Sequence, residues 1–336
     1  MRNLPVYALL ILILIFIRCG TNKPAPYRKI TGFTQGTTFH ITYEDSDNKD
    51  LSGSVDSIFR AFDLTFSEYI PNSIVSRINN NDSTVLLDDM FIEVYNKSVE
   101  INMETHGALD LTVGPLVNAW GFGPEKKVKI DSSKIDSLLQ YVGMEKIRLE
   151  GRKLIKKLPG IKIDVNSIAQ GYSVDVVYRY FETLGIKNFM VEIGGEVRSK
   201  GKNPKGVLWR IGVDKPTEGN NPTDESLQTV LLLDNKSVTT SGNYRKFFEE
   251  NGQKFSHIID PHTGYPYKNS LLSVTVIAND GLTADGYDTP LMVLGLEGAR
   301  EVLKHHPELE AYMIYSDKSG KFQVESTKGI QFDKEN

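Results

Sequence analysis

The sequence predicts an α+β protein with mainly antiparallel sheets and packed helices. Amphipathic helical stretches alternate irregularly with short β-type runs, and in the second half six such runs follow one another without a helix between them. Regular βαβ alternation is therefore absent. The composition agrees. The chain has 336 residues, 40% hydrophobic and 24% charged, which is the balance of a folded domain and not of a disordered or multi-span membrane chain. That length supports a sizeable core.

The elements follow in order. Residues 33–44, FTQGTTFHITYE, read as a strand pair broken by glycine, rich in Thr, Phe and Tyr. DSDNKDLSGS is a solvated polar loop; Asp45 and Asp47 hint at a calcium loop, but Lys49 stands at the third ligand position. Ser54 to Phe66 carries Val55, Ile58, Phe59 and Phe62 at helical spacing, and Met90 to Thr105 and Ser132 to Val142 form two further helices. Lys146 to Leu158 alternates as a hairpin around Glu150–Gly151. Asn166 to Leu184 is the strongest helix, with Ile168, Val174, Val177, Tyr180 and Phe181 on one face. Strands are expected at Asn188 to Ser199, Leu208 to Val213, Thr229 to Leu233, Ser237 to Thr240, Gly252 to Ile259 and Leu272 to Ala278. Helices at Gly281 to Leu294 and Leu296 to His305 precede closing strands at Ala311 to Tyr315 and Phe322 to Glu325.

Several chemistries are excluded. A net charge of -4 gives no field for nucleic acid. One cysteine, Cys19, rules out an intramolecular disulfide and a cysteine zinc site. P-loop, nucleophile-elbow and H-E-x-x-H motifs are missing, and the only G-x-G, Gly121 to Gly123, runs into Pro124.

The N-terminus reads as an export signal. Arg2 precedes the apolar run Leu4 to Ile17, too short for a spanning helix of about 20 residues, and Cys19 follows it. The pattern is similar to a lipoprotein signal over residues 1–19, with Cys19 acylated, although Arg18 stands where such signals carry a small residue. An uncleaved anchor and simple secretion are the alternatives. Residues 20–29 read as a tether and 30–330 as the globular body. Losing Arg2 and Arg18 leaves 37 basic against 43 acidic residues, a charge of -6.

Three segments are too dense in Gly, Asp and Thr for ordinary core. Residues 105–124, THGALDLTVGPLVNAWGFGP, suit a loop that brings backbone close to a flat ligand, or a tight connection with Trp120 plugging the core. Residues 163–175, IDVNSIAQGYSVD, place polar residues at a helix start where an anion is favoured; Gly171, inside that helix, signals close approach of another backbone or a ligand. In 283–295, TADGYDTPLMVLG, Asp285, Asp288 and Thr289 share one helical face, a hard-oxygen cluster suited to Mg²⁺, or merely an acidic helix start. A fourth stretch, residues 256–266, holds His257 within a strand before the turn at Asp260–Pro261.

Together these segments resemble the ApbE family of FAD:protein FMN transferases. Eight blocks carry the resemblance in order: GTTFHITY (36–43), FSEYIPNSIVSRIN (66–79), ALDLTVGPLVNAWGFGP (108–124), IDVNSIAQGYSVD (163–175), VEIGGEVRSKG (191–201), TTSGNYRKF (239–247), SHIIDPHTGYP (256–266) and TADGYDTPLMVLG (283–295). The resemblance implies an ApbE-like fold and an enzyme that cleaves FAD, its substrate, at the pyrophosphate. FMN passes to a Thr or Ser hydroxyl of a membrane-associated or exported flavoprotein, such as a respiratory-complex subunit, and AMP leaves. It implies Mg²⁺ on Asp285, Asp288 and Thr289, completed by the Ser167 carbonyl. It implies FAD contacts at Gln35, Thr37, Tyr69, Ala108, Leu109, Asp110, Trp120, Asp164, Gln170, His257 and Ile259. Gln35 stands where the family usually has methionine, and Gln170 where many members have lysine. Asp285 or His257 would accept the proton of the incoming hydroxyl. A lipid-anchored enzyme at the cell membrane, facing the periplasm or exterior, follows from the signal. A FAD pyrophosphatase and a non-catalytic flavin-binding lipoprotein are the rival readings; the latter has no need of three oxygen side chains on one helical face.

Overall fold

The computed structural model describes residues 26–216, 227–243, 247–250 and 253–334. The signal segment and Cys19 lie outside the described residues. Tyr27 to Lys29, read from sequence as tether, are instead the first residues of a strand, because they continue the pairing with Tyr43 and Glu44.

Strand β1 (Tyr27–Thr34) turns at Gln35–Gly36 into β2 (Thr37–Glu44). Helix α1 (Ser52–Phe66) buries Val55, Phe59, Phe62 and Phe66, and α2 (Ile74–Asn79) and α3 (Asp89–Glu104) follow. Next come α4 (Gly114–Trp120), α5 (Ser132–Leu139), the hairpin β3 (Ile147–Glu150) and β4 (Lys153–Lys156), and α6 (Ala169–Thr183). The remaining elements are β5 (Phe189–Ile193), β6 (Glu196–Lys200), β7 (Trp209–Asp214), β8 (Leu227–Leu233), β9 (Ser237–Gly242), β10 (Phe247–Glu250), β11 (Gln253–Ser256), β12 (Leu271–Ala278), α7 (Gly281–His305), β13 (Glu310–Ser316) and β14 (Phe322–Ser326).

Eight strands form one sheet in the order β1-β2-β5-β6-β9-β12-β13-β14. Every neighbouring pair in it is antiparallel. β12 is buried along nearly its whole length because the sheet is covered on both faces. Helices α6 and α7 pack against β5, β6, β9 and β12. The β7–β8 ribbon contributes Trp209, Val213, Leu231 and Leu233 to a cluster with Val197, Val238, Ile277 and Ile314.

Three differences from the sequence reading have local causes. The single strand expected over 188–199 is a hairpin: Gly194 and Gly195 adopt φ of 65° and 108°, which reverses the chain between β5 and β6. Residues 114–120, inside the glycine-rich segment, are helical; Pro115 suits a first turn and Gly121, at φ 85°, ends it. Asp45 is buried, not solvated, and accepts from the Lys49 backbone N–H at 2.9 Å. The helix break expected before Leu296 is present: Gly295 leaves helical geometry at φ 71°.

Candidate active site

Helices α6 and α7 cross so closely that only glycine fits between them. A Cβ on Gly171 would stand 2.3 Å from both the Gly281 carbonyl oxygen and the Asp285 Cβ, and one on Gly281 would stand 2.1 Å from the Gly171 carbonyl oxygen. This is the close approach that the mid-helix Gly171 signals in the sequence. The start of α6 has no side-chain cap of its own; the Gly171 N–H donates to Asp285 Oδ2 at 2.7 Å, so an α7 carboxylate takes that place.

One turn further along α7 lies Asp288, with Thr289 beside it. Thr289 Oγ1 donates to Asp288 Oδ1 at 3.1 Å and lies 3.1 Å from Ser241 Oγ on β9. Asp285 and Asp288 are 5% and 2% exposed. Burial pushes Asp285 up to about 7, against the pull of the Gly171 N–H. Asp288 rises well above the carboxylate range, first through burial and then through Asp285 and Glu196. Two buried carboxylates on one face, with a third nearby on β6, form a concentration of negative charge that a cation would relieve.

The donor set fits Mg²⁺. Among the described residues no three His, Cys, Asp or Glu side chains gather tightly enough to hold a metal alone. Asp285, Asp288 and the Thr289 hydroxyl supply oxygen only, and a magnesium ion commonly takes one or two carboxylates and completes its shell with water and substrate phosphates.

A second group surrounds the approach to α6. Asp164 is buried; its N–H donates to the Leu111 carbonyl at 2.8 Å, and Oδ1 accepts from the Asn166 N–H at 2.8 Å. The Asn166 side chain donates to Glu68 Oε1 at 3.1 Å. Burial, reinforced by Asp164, pushes Glu68 up to about 9. Tyr69, next to it, is 72% exposed. At the other end of the same helix start, Gln170 Nε2 donates to the Ile193 carbonyl at 3.2 Å. A Cβ on Gly194 would strike that nitrogen at 1.8 Å and the Thr37 methyl at 2.8 Å, so Thr37, Gln170 and the β5–β6 turn touch.

A third group is the pair of loops 105–124 and 257–266. His106 and Gly107 both take positive φ, and the His106 carbonyl lies 2.8 Å from His262 Nε2. Trp120 Nε1 donates to the Gly264 carbonyl at 2.9 Å, and Trp120 and Ile259 pack in a small core with Leu116, Ile135 and Val142. His257 lies just past β11 and not within a strand; its ring meets Phe122 edge-on at 6.2 Å. Ala108, Leu109 and Asp110 are buried, and Asp110 borders a cleft of about 430 Å³ with Asn102, His106, Gly107, Met144 and His262.

The ApbE family model matches residues 35–313. The chain belongs to the ApbE family. FAD:protein FMN transferases from Haemophilus influenzae and Vibrio cholerae are 39% and 37% identical, over 87% and 91% of this chain and 87% and 92% of theirs. The flavin transferase ApbE of Vibrio cholerae superposes with a TM-score of 0.81 at 36% identity, covering 90% of this chain and 98% of that one. The Pseudomonas stutzeri flavinyl transferase ApbE, in apo form, gives 0.77 at 32% identity, over 90% and 95% of the two chains.

The structure places most of the sequence-predicted residues in these three groups. Asp285, Asp288 and Thr289 stand together on α7. Ser167 is half-buried in the turn just before α6, which begins at Ala169 and not at Asn166. Gln35, at φ 51°, lies in the β1–β2 turn, and Thr37 opens β2. Trp120 and Ile259 are packing residues of the loop pair as well as candidate contacts. Sequence reasoning assigned no role to Glu68, Asp175, Glu196, Arg198 or Ser241. All but Ser241 are charged, and only the fold shows their partners: Glu68 meets Asn166, Arg198 meets Asp175, Glu196 acts on Asp288 and Ser241 meets Thr289.

Proposed function

We propose that this ApbE-family transferase moves FMN from FAD to a Thr or Ser hydroxyl of exported or membrane-associated flavoproteins, such as respiratory-complex subunits, and releases AMP. The observation that carries the reading is the buried pair Asp285 and Asp288 at the α6–α7 crossing, beside the start of α6. Phosphoryl transfer asks the protein for alignment and charge compensation more than for covalent help. Asp285, Asp288 and Thr289, with the Ser167 carbonyl, would hold Mg²⁺. Charge neutralisation at the pyrophosphate, which makes AMP a better leaving group, is what that ion supplies when bound.

The remaining work falls to side chains and backbone. The turn at Asp164 to Ala169 and the positive end of the α6 dipole lie toward the anionic middle of the substrate, while the Gly171 N–H itself stays on Asp285. Gln170 offers a neutral amide donor there. The two loops, tied by Trp120 and His262, present Ala108 to Asp110, Ile259 and His257 to the flavin nucleotide. In the transfer the acceptor oxygen forms a bond to the FMN phosphorus, the P–O bond to AMP breaks, and AMP keeps the bridging oxygen. The hydroxyl proton passes to Asp285 or to His257. Acylation of Cys19 would hold the enzyme at the outer face of the cell membrane, where such acceptors stand, and an unmodified Cys19 thiol in membrane-extracted protein would refute that part.

The test mixes purified protein with FAD, Mg²⁺ and a candidate acceptor. A mass gain equal to FMN on the acceptor is expected. Free FMN and AMP with an unmodified acceptor would instead establish a pyrophosphatase, and FAD returned intact would leave only binding.

A further inference from the structure

The two helices of the site cap each other. Asp285 of α7 accepts from the Gly171 N–H in the first turn of α6. In return Asp175, one turn further along α6, accepts from both leading amides of α7: the Gly281 N–H at 2.7 Å on Oδ1 and the Leu282 N–H at 2.8 Å on Oδ2. Those amides have no partner within their own helix, and Asp280 caps only Thr283. Asp175 is wholly buried. Its charge is balanced by Arg198 of β6, whose Nη1 reaches Asp175 Oδ1 while the guanidinium lies 3.8 Å from the centre of the Tyr178 ring. The crossing between the two caps is the Gly171–Gly281 contact, with no room for a Cβ.

We propose that Asp175 is a positioning residue for the transfer reaction: by clamping the first turn of α7 onto α6, it sets the height and rotation of Asp285 and Asp288 at the phosphate end of the site. Asp285 lies one helical turn beyond the clamped amides. A rigid-body slip of α7 would therefore move it and break its bond to Gly171 together. Arg198 opposes the burial that raises Asp175 and keeps its carboxylate aimed, so the chain of support runs from β6 through α6 to α7. Residues hydrogen-bonded to a metal ligand cost about 10- to 100-fold in metal affinity when they are changed; Asp175 acts one step further out, through the α7 amides. The inference rests on the reading of Asp285, Asp288 and Thr289 as a cation site.

The test uses Asp175→Asn, which keeps the volume and turns one acceptor into a donor. Mn²⁺ binding to the FAD-loaded protein is followed by electron paramagnetic resonance, beside amide hydrogen exchange of the metal-free protein. Mn²⁺ affinity is expected to fall by about 10-fold, the lower end for direct partners of a ligand, with the KM for FAD changed far less than the Mg²⁺ concentration needed for half-maximal transfer. Exchange at the Gly171 N–H should accelerate together with that at Gly281 and Leu282. Val177→Ala, in the same helix but facing the sheet core, controls for general loosening and should leave Mn²⁺ binding intact. Where Asp175→Asn does not fold, Arg198→Gln serves with the same readouts and a smaller expected loss. Mn²⁺ affinity and Gly171 exchange as in the unmodified protein, in a folded Asp175→Asn or Arg198→Gln, overturn the proposal. Failure of the unmodified protein itself to bind Mn²⁺ overturns the cation site, and this inference with it.

Discussion

The α6–α7 crossing and the loop pair 105–124 and 257–266 build the site by opposite means. At the crossing, carboxylates are forced into the interior and held by backbone amides across a glycine contact. Their charge is uncompensated and their ionisation is disfavoured. In the loop pair, the shape is set by positive φ at His106 and Gly107 and by two bonds to carbonyl oxygens, over a small apolar core. One region gathers buried carboxylates whose ionisation a cation would favour; the other is rigid backbone stapled to packing. Substitutions at the first should therefore remove chemistry with little loss of volume, and those at the second should remove stability and nucleotide affinity together.

The sharpest break of that contrast is Asp285→Asn. The shape survives but the charge goes, and FMN transfer should fall by roughly 100- to 1000-fold while the melting temperature of the metal-free protein holds or rises. Full transfer by this variant, measured by acceptor mass, would remove Asp285 from the reaction.

Next comes the pH dependence of the metal-free protein. Asp285 binds its proton more tightly folded than unfolded, so the folded state carries the extra proton between about 4 and 7. Stability should therefore fall as pH rises through that window, and the deficit should be complete above it. Thermal melts from pH 5 to 8 check this. Mg²⁺ should restore the upper end, and Asp285→Asn should flatten the slope. A rise in stability with pH across this window would contradict the burial of these groups as carboxylates.

In the loop pair, Trp120→Phe removes the bond to Gly264 and leaves a small void. A cost of about 1–2 kcal/mol is expected in denaturant unfolding. FAD should bind more weakly, and the turnover of bound FAD should hold. A drop in turnover without loss of stability would place Trp120 among the reacting groups.

The smallest effect on transfer is expected at Glu68→Gln. Glu68, pushed up to about 9, is already protonated at neutral pH, and glutamine mimics that form. Stability at pH 7 should rise, because folding of the parent takes up a proton at Glu68 that the glutamine does not need, and the decline expected of the parent as pH rises from 7 to 9 should shrink. An unchanged decline would mean that Glu68 is ionised beside Asp164.

Much of this was legible beforehand. Helical spacing located α1, α3, α6 and α7, and the i, i+3, i+4 spacing put Asp285, Asp288 and Thr289 on one face. Gly171 announced a close contact without naming its partner. What escaped was short or non-local. α2 has six residues and rests on a Ser73 cap and on Asn79, which pairs with the Ile163 backbone across the fold. α4 hides in a run whose glycines and prolines read as loop. Nothing near Asp175 in sequence points to the amides of Gly281 and Leu282, more than a hundred residues away.

The sequence by itself determined the element types, the family and the residues able to bear the chemistry, because periodicity, turn residues and motif blocks are local properties of the chain. Only the tertiary structure decided which of those residues meet. Burial raised the carboxylates, the Gly171–Gly281 crossing let the first turns of two helices cap each other, and the loops were stapled by Trp120 and His262. Each of these depends on contacts between segments distant in sequence, and no local pattern encodes them.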